Sequence, residues 1–342
     1  MVKVLQIGAS KKTMGGISTV LKAWENSHVW NKYSCKWIES QDNRNLLFKI
    51  YYFIKSFFVS LITIPRYNII HFHTTPGRSI YVQMPIFILS LLYHKKIIVE
   101  LHVGNQLNKY IDDKVFNWVL TRADKVVVLA YVWRRFLIDN FFLSDEKVIV
   151  LYNPAPVVPA YSDKDHYVLY MAYLVENKGY DIVIEAFSKL IKKYQDWKLI
   201  IAGSGEIERA KDLARQNGAE DRIEFRGWVS GSEKGDLWRH AGAYCMASYQ
   251  EGFPMTVLEA WAYGTPLITT PVGGLIDVLE DGKNALVFPF GDVDELCSCF
   301  DKLFSSEELR KHLSDSSKQL VSKMFTMEVI SKEIESFYDS LS

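Results

Sequence analysis

Short apolar runs alternate with stretches of helical periodicity along most of the 342-residue chain. In the first half such runs fall at 2–7, 69–72, 97–101, 126–129 and 148–151, and a second series follows at 168–172, 198–202, 223–225, 243–246, 267–269 and 285–287. Runs this short, rich in Val and Ile, predict strands of a parallel sheet with crossover helices between them. The fold class is therefore α/β, with two doubly wound halves. Residues 153–159 carry three prolines in seven positions and predict the linker, which leaves a cleft between the halves. The expected division is 1–153, then 154–327, then a closing helical segment, 328–342.

One helical stretch departs from the usual balance of faces. Residues 46–64 are almost entirely apolar, yet Lys49, Tyr52, Ser56, Ser60 and Thr63 recur at helical spacing as a single polar stripe. Two lysines in its interior, Lys49 and Lys55, would each cost about 2.5–3.5 kcal/mol at a bilayer centre, which argues against a transmembrane span. The run 85–93 is too short to cross. Both stretches read as helices of the first half, buried in it or also touching a bilayer surface.

With 49% hydrophobic and 23% charged residues the chain is globular, and its formal net charge is zero. That zero hides an asymmetry. Residues 1–160 hold 20 Lys and Arg against 10 Asp and Glu, whereas the remainder holds 20 against 30. A basic half beside aromatic, apolar helices points to peripheral contact with an anionic membrane surface. No aromatic and basic residues interleave as a nucleic-acid motif would require, so no nucleic-acid partner is expected. Cys35, Cys245, Cys297 and Cys299 have neither metal nor disulfide spacing and read as reduced thiols. The opening residues read as a strand, without a secretory leader. The expected location is the cytoplasm, on the inner face of the membrane.

Chemistry concentrates in Glu251-Gly-Phe-Pro-Met-Thr-Val-Leu-Glu259. Gly252 and Pro254 break regular structure and good helix formers follow, so a helix should begin near Pro254, its first amides free to hold a phosphate without a metal. Glu251 precedes that anion site and Glu259 lies about a turn and a half inside the helix. A diphosphate between two sugars fits this span, one acid serving the hydroxyls on each side. Two isolated acids at this spacing are more commonly solvated. Here a helix stop at Gly264, an apolar strand at 267–269 and a second glycine loop, Gly273-Gly274, surround them. Ligands collect at such strand ends in parallel α/β sheets.

The segment resembles the retaining glycosyltransferases of family four, whose signature Glu-Gly-Phe-x-x-x-x-x-Glu-Ala followed by Gly-x-Pro matches Glu251 through Pro266. The resemblance extends to Ala202-Gly203-Ser204-Gly205, Phe225-Arg226-Gly227-Trp228, Asn177-Lys178-Gly179 and, more weakly, Gly15-Gly16. It implies the GT-B architecture, two Rossmann-like domains facing a central cleft. The first would bind the acceptor and the second a nucleotide diphosphate sugar, with the closing helix crossing back to the first. The activity it implies is metal-independent transfer of a sugar, from a UDP-sugar by expectation, to a saccharide or lipid-linked saccharide acceptor in surface polysaccharide or glycoconjugate synthesis.

Site roles follow from the residues and the resemblance together. Glu251 would orient the donor sugar and Glu259 the ribose hydroxyls, while Lys178 and the amides after Phe253, those of Met255, Thr256 and Val257, would hold phosphate, with Phe253 and Pro254 as further donor-binding residues. The family places Gly203 near the nucleotide and has the backbone around Gly227 and Trp228 meet the base. Gly16 would allow close backbone approach. His102 matches a family histidine near the donor sugar and attacking hydroxyl, whereas His71 and His73 read as wall residues. One departure stands out: Tyr173 occupies a position where the family usually has Arg, and a phenol cannot form the charged bidentate fork. The acid pairs Asp163/Asp165 and Asp292/Asp294 follow no apolar strand in the way a metal motif requires, so no metal or other cofactor is expected. Rival readings are a sugar-nucleotide epimerase on the same fold and a non-catalytic nucleotide-sugar binder.

Overall fold

Six parallel strands form the first sheet: β1 (Val4–Ala9), β2 (Lys36–Gln41), β3 (Ile69–Thr74), β4 (Lys96–Leu101), β5 (Lys125–Val128) and β6 (Val148–Val150). Their spatial order is β2-β1-β3-β4-β5-β6. The second sheet comprises β7 (Tyr167–Met171), β8 (Lys198–Ala202), β9 (Ile223–Gly227), β10 (Ala243–Met246), β11 (Leu267–Thr269) and β12 (Leu286–Val287). It is also parallel, in the order β12-β11-β10-β7-β8-β9. The computed structural model describes residues 2–13, 15–42, 44–102, 106–159 and 164–341. Contacts divide the chain into Met1–Pro154 with Phe325–Ser342, and Ala155–Met324. The division falls inside the proline-rich stretch, and the Met327–Asp339 helix packs on the first unit.

All eleven apolar runs form strands, and the structure adds β2. Its sequence, Lys-Trp-Ile-Glu-Ser-Gln, alternates and buries only Ile38 and Ser40, as an edge strand covered on one side should. The central strands are apolar on both faces because helices cover both. In the second unit Trp197 stacks on Phe304 with centroids 4.0 Å apart, and Phe300 and Phe187 extend that aromatic layer under the sheet. Each such buried ring contributes about 1.5–3 kcal/mol relative to exposure.

The order of the second sheet fixes where ligands can gather. Chain direction of travel reverses between β7 and β10, which pair through Val168–Ala243 and Leu169–Tyr244. In parallel α/β sheets ligands bind outside the carboxyl ends of the strands at such a reversal. In the first sheet the reversal lies between β1 and β3.

One expectation needs correction. The Leu46–Thr63 helix, capped by the Asn45 side chain on the Phe48 amide, does not bury its apolar residues. Tyr52, Ser56, Ser60 and Thr63 face inward, whereas Leu46, Leu47, Ile50, Tyr51, Ile54, Phe58 and Ile62 are exposed. Within the polar stripe Ser56 Oγ donates to Phe53 O at 2.9 Å, whereas Ser60 Oγ is buried with no hydrogen-bond partner among the described residues.

Candidate active site

The carboxyl ends of β7 and β10 carry the acids and the base singled out in the sequence. After β7 the chain makes a 3-10 turn, Glu176–Lys178, and passes through Gly179 into the Tyr180–Ser188 helix. Gly179 is required twice over: its φ of +66° is left-handed, and a Cβ there would lie 2.2 Å from Ala247 O. That close approach brings the β7 turn against the segment leaving β10, where Tyr249 N donates to Asn177 O at 2.9 Å. Lys178 Nζ consequently meets Glu251 Oε1 at 2.5 Å, and Ser248 Oγ donates to the same oxygen at 2.8 Å.

Glu251 is held from a third side. Gly273, with φ +60°, packs so closely that a Cβ would fall 2.4 Å from Glu251 O, and Gly274 N donates to Gly252 O at 2.6 Å. Thr270 Oγ1 donates to Ser248 O at 2.6 Å, tying the strand ends of β10 and β11 together. The Met255–Ala262 helix then starts with Pro254 as its N-cap. Met255 and Thr256 lie in its first turn, where amides have no intrahelical acceptor. The Val257 amide differs, since it is bonded to Pro254 O at 3.2 Å, and the Val257 and Phe253 side chains are buried. Val257 therefore serves the core, which corrects its assignment as a phosphate-binding amide. Thr256 bonds the buried Tyr244 hydroxyl.

Glu259 is nearly buried inside the helix. It is only 8% exposed, with Lys234 Nζ 2.5 Å from Oε1 and Trp238 Nε1 3.1 Å from Oε2. Both partners come from the Gly231–His240 helix. A carboxylate has about four acceptor sites, so two remain for a ligand. Lys234, Trp238 and Ser248 were not legible as site residues, because nothing local in sequence links them to the two acids.

The remaining second-unit candidates lie at the ends of β7, β8 and β9. Gly203 N donates to Gly227 O at 2.6 Å, and a Cβ on Gly203 would strike Ala172 O, so the β8 loop lies directly on backbone. Trp228 and Tyr173 are 52% and 57% exposed. Asp292 caps the Val293–Ser305 helix and Asp294 pairs with Lys189 at 2.8 Å, which accounts for both as structural acids. Asp163 lies outside the described residues.

In the first unit Gly16 is the exposed first residue of the Gly16–Glu25 helix. His102 is bound into a buried cluster. Its Nε2 lies 3.1 Å from Glu100 Oε1 and 3.0 Å from His73 Nδ1. His71 Nε2 faces Glu100 Oε2 at 3.1 Å. The far side of each inner ring is also engaged, His73 Nε2 by Gln6 Oε1 and His71 Nδ1 by the Tyr338 hydroxyl, both at 2.8 Å. His71 and His73 are thus members of a polar network rather than plain wall residues. Burial would push the Glu100 carboxyl up, but the imidazoles of His73 and His102 reverse this and hold it well below the ordinary carboxylate range. Burial pushes His73 down to about 4. Ligand atoms of His71, His73 and Glu100 lie within 4.8 Å of one another, the one such group among the described residues. Hydrogen bonds engage both nitrogens of His73 and the Nδ1 of His71, whereas His71 Nε2 and Glu100 Oε2 are buried with no hydrogen-bond partner among the described residues.

The crystal structure of Anabaena HepE in complex with UDP superposes with a TM-score of 0.78 at 16% identity, covering 99% of this chain and all of that one. At this identity the likeness shows the fold, which is the GT-B architecture of two Rossmann-like units. Residues 156–320 match the family model described as Glycosyl transferases group 1. It is 28% identical over 219 residues to an uncharacterized glycosyltransferase of Haemophilus influenzae. It is 29% identical over 208 residues to the lipopolysaccharide 1,6-galactosyltransferase of Salmonella typhimurium. These matches cover 63% and 58% of this chain and 61% and 54% of the relatives, so the chain aligns with less than two thirds of either.

Proposed function

We propose that the protein is a retaining glycosyltransferase that moves a sugar from a nucleotide diphosphate sugar, a UDP-sugar, to a hydroxyl of a saccharide or lipid-linked saccharide acceptor. The observation that carries this reading is the Lys178–Glu251 pair astride the β7/β10 reversal, beside the open first turn at Met255. It puts a cation, amides and an acid where a diphosphate joined to a sugar needs them. The choice of UDP is supported by the likeness to HepE, which is solved with UDP and with UDP-glucose. A role in polysaccharide synthesis is supported by relatives named for lipopolysaccharide and capsular polysaccharide synthesis.

Lys178 and the amides of Met255 and Thr256 hold the diphosphate, Glu259 takes the ribose hydroxyls, and Glu251 orients the donor sugar. The bond from the anomeric carbon to phosphate oxygen breaks, a bond to the acceptor oxygen forms on the same face, and the acceptor proton passes to the leaving phosphate. Positioning and fixed charge supply the acceleration, with no protein nucleophile and no metal. In the first unit His102 offers Nδ1, the nitrogen its network leaves unused among the described residues. The first unit binds the acceptor, at the inner face of the cytoplasmic membrane.

A thermal-shift screen of sugar nucleotides, followed by mass analysis of products with lipid-linked acceptors, tests this. Stabilisation by UDP-sugars and a product heavier by one sugar are expected. UDP-sugar converted to an isomer without acceptor would move the reading to an epimerase.

A further inference from the structure

We infer that the outward face of the Leu46–Thr63 helix is the surface by which the protein docks on an anionic lipid bilayer, lying in the plane of the interface rather than crossing it. This deepens the membrane side of the proposed function and does not depend on the donor chemistry.

The inverted packing of this helix is the starting point. A surface helix normally turns apolar side chains inward. Here the inward stripe is Tyr52, Ser56, Ser60 and Thr63, and the outward face presents Leu47, Ile54, Phe58 and Ile62 at 78%, 49%, 61% and 67% exposure. The Arg78–Leu92 helix packs alongside and also exposes Tyr81, Ile88 and Leu92. Exposed surface of this kind marks an interaction site, because leaving it in water forfeits about 25 cal/mol for every Å².

By length and composition Leu46–Arg66 is apolar enough to cross a membrane. The helix, however, packs on the first unit's own β2 and on the neighbouring helix, and its buried stripe from Tyr52 to Thr63 fixes it to a folded domain. One side is occupied by protein, so only the other can meet lipid. That is the in-plane arrangement of an interfacial helix.

Charge selects lipid over a second copy or another protein. Residues 43–99 contain seven Lys and Arg and no Asp or Glu. Arg44 is paired with Asp42 and Lys96 with Asp124, while Lys49, Lys55, Arg66 and Arg78 have no carboxylate partner among the described residues. Lys49 lies near the start of the helix, Lys55 at its middle with Nζ 5.4 Å from the Tyr51 ring, and Arg66 just past its end. A symmetric contact between two copies would set this cation row against itself. A leaflet of acidic lipid offers the complementary charge and takes up the apolar rings at once, worth about 1 kcal/mol per basic residue near the surface.

The test is co-sedimentation of the full chain with vesicles of phosphatidylcholine alone and of phosphatidylcholine mixed with phosphatidylglycerol. Binding to the mixed vesicles, weakened by salt, is expected. The combined variant Leu47→Glu, Ile54→Glu, Phe58→Glu should lower partitioning by about 10-fold or more while the UDP-induced thermal shift stays as in the parent. A lipid-borne photoreactive probe on the unmodified protein should label the peptide containing residues 46–66, which keeps the test valid should the variant fold poorly. Equal partitioning of parent and variant, labelling elsewhere, or a switch from dimer to monomer by light scattering without loss of vesicle binding would overturn the proposal. Loss of the UDP shift in the parent would instead count against the donor site.

Discussion

Lys178 Nζ stands 2.5 Å from Glu251 Oε1 although 73 positions separate them in sequence. Each side chain is about one fifth exposed, so the pair is neither a solvated surface contact nor a sealed one. A partly open pair can give up one partner to an incoming ligand at modest cost. Glu251→Gln keeps the shape and removes the charge, leaving Lys178 free for phosphate. UDP affinity should hold within about 3-fold, while turnover falls about 100-fold, the scale of one lost transition-state contact. Lys178→Met should instead weaken UDP binding by about 10- to 100-fold, the range of a hydrogen bond to a charged group. Calorimetry and initial rates measure both. Equal losses of binding and turnover in Glu251→Gln would remove Glu251 from the sugar side.

Glu259 tests whether a nearly buried acid still serves the ligand. Lys234 and Trp238 each take one bond to it, so its charge is balanced before any ribose arrives. Glu259→Gln should weaken UDP by about 10- to 100-fold, because the acceptor sites turned to the ribose lose their charge. Lys234→Met leaves the carboxylate with Trp238 as its remaining donor and should destabilise the second unit by about 1–3 kcal/mol. An unchanged UDP dissociation constant in Glu259→Gln would make this acid purely structural.

Tyr173 is exposed beyond the end of β7, with room for a longer side chain. Tyr173→Arg supplies the planar cationic fork that a departing diphosphate can use. The expected outcome is a rise in kcat of about 10-fold with little change in KM, since stabilisation confined to the transition state appears in kcat. Steady-state kinetics decide it; a lower kcat would mean that the phenol has its own role.

The fold was legible wherever both faces of an element are buried. All eleven apolar runs became strands; the central ones are buried on both faces and have few other places to go, while edge strand β9 alternates and buries Ile223. Strand β2 escaped since its one buried apolar residue, Ile38, stands among polar neighbours with the buried Ser40, so no apolar run marks it. The Leu46–Thr63 helix misled for the opposite reason. Periodicity reports which residues share a face but not which face meets the protein, and here small hydroxyls pack while large apolar groups do not. In the site, the Glu251 segment could be read because helix start, glycine turns and acids are contiguous. The partners of those acids could not. Lys234 and Trp238 reach Glu259 from a separate helix, and only the strand order that sets β10 beside β7 brings Lys178 to Glu251.

The histidine cluster of the first unit makes stability depend on pH with a definite sign. Burial pushes His73 from an ordinary 6.5 down to about 4, against the pull of Glu100. The groups facing it are Glu100, His71, His102, Gln6 and the Trp24 ring. Between pH 6.5 and about 4 the unfolded chain holds a proton at this position that the folded protein refuses. Unfolding then takes up protons, so stability is complete above 6.5, declines as pH falls through that window, and gains no further loss from His73 below it. Glu100 acts in the same direction at the acid end, since its folded carboxyl is held below the unfolded value of 4.5. The urea midpoint of the first unit, followed by Trp24 fluorescence, should therefore drop steadily from pH 6.5 towards 4. His73→Gln keeps a polar group against Gln6 but cannot titrate, and should flatten the upper part of that slope. A parent midpoint that stays level between pH 6.5 and 4.5 would show that His73 is already protonated in the fold, making the cluster a charged ion pair with Glu100 at neutral pH.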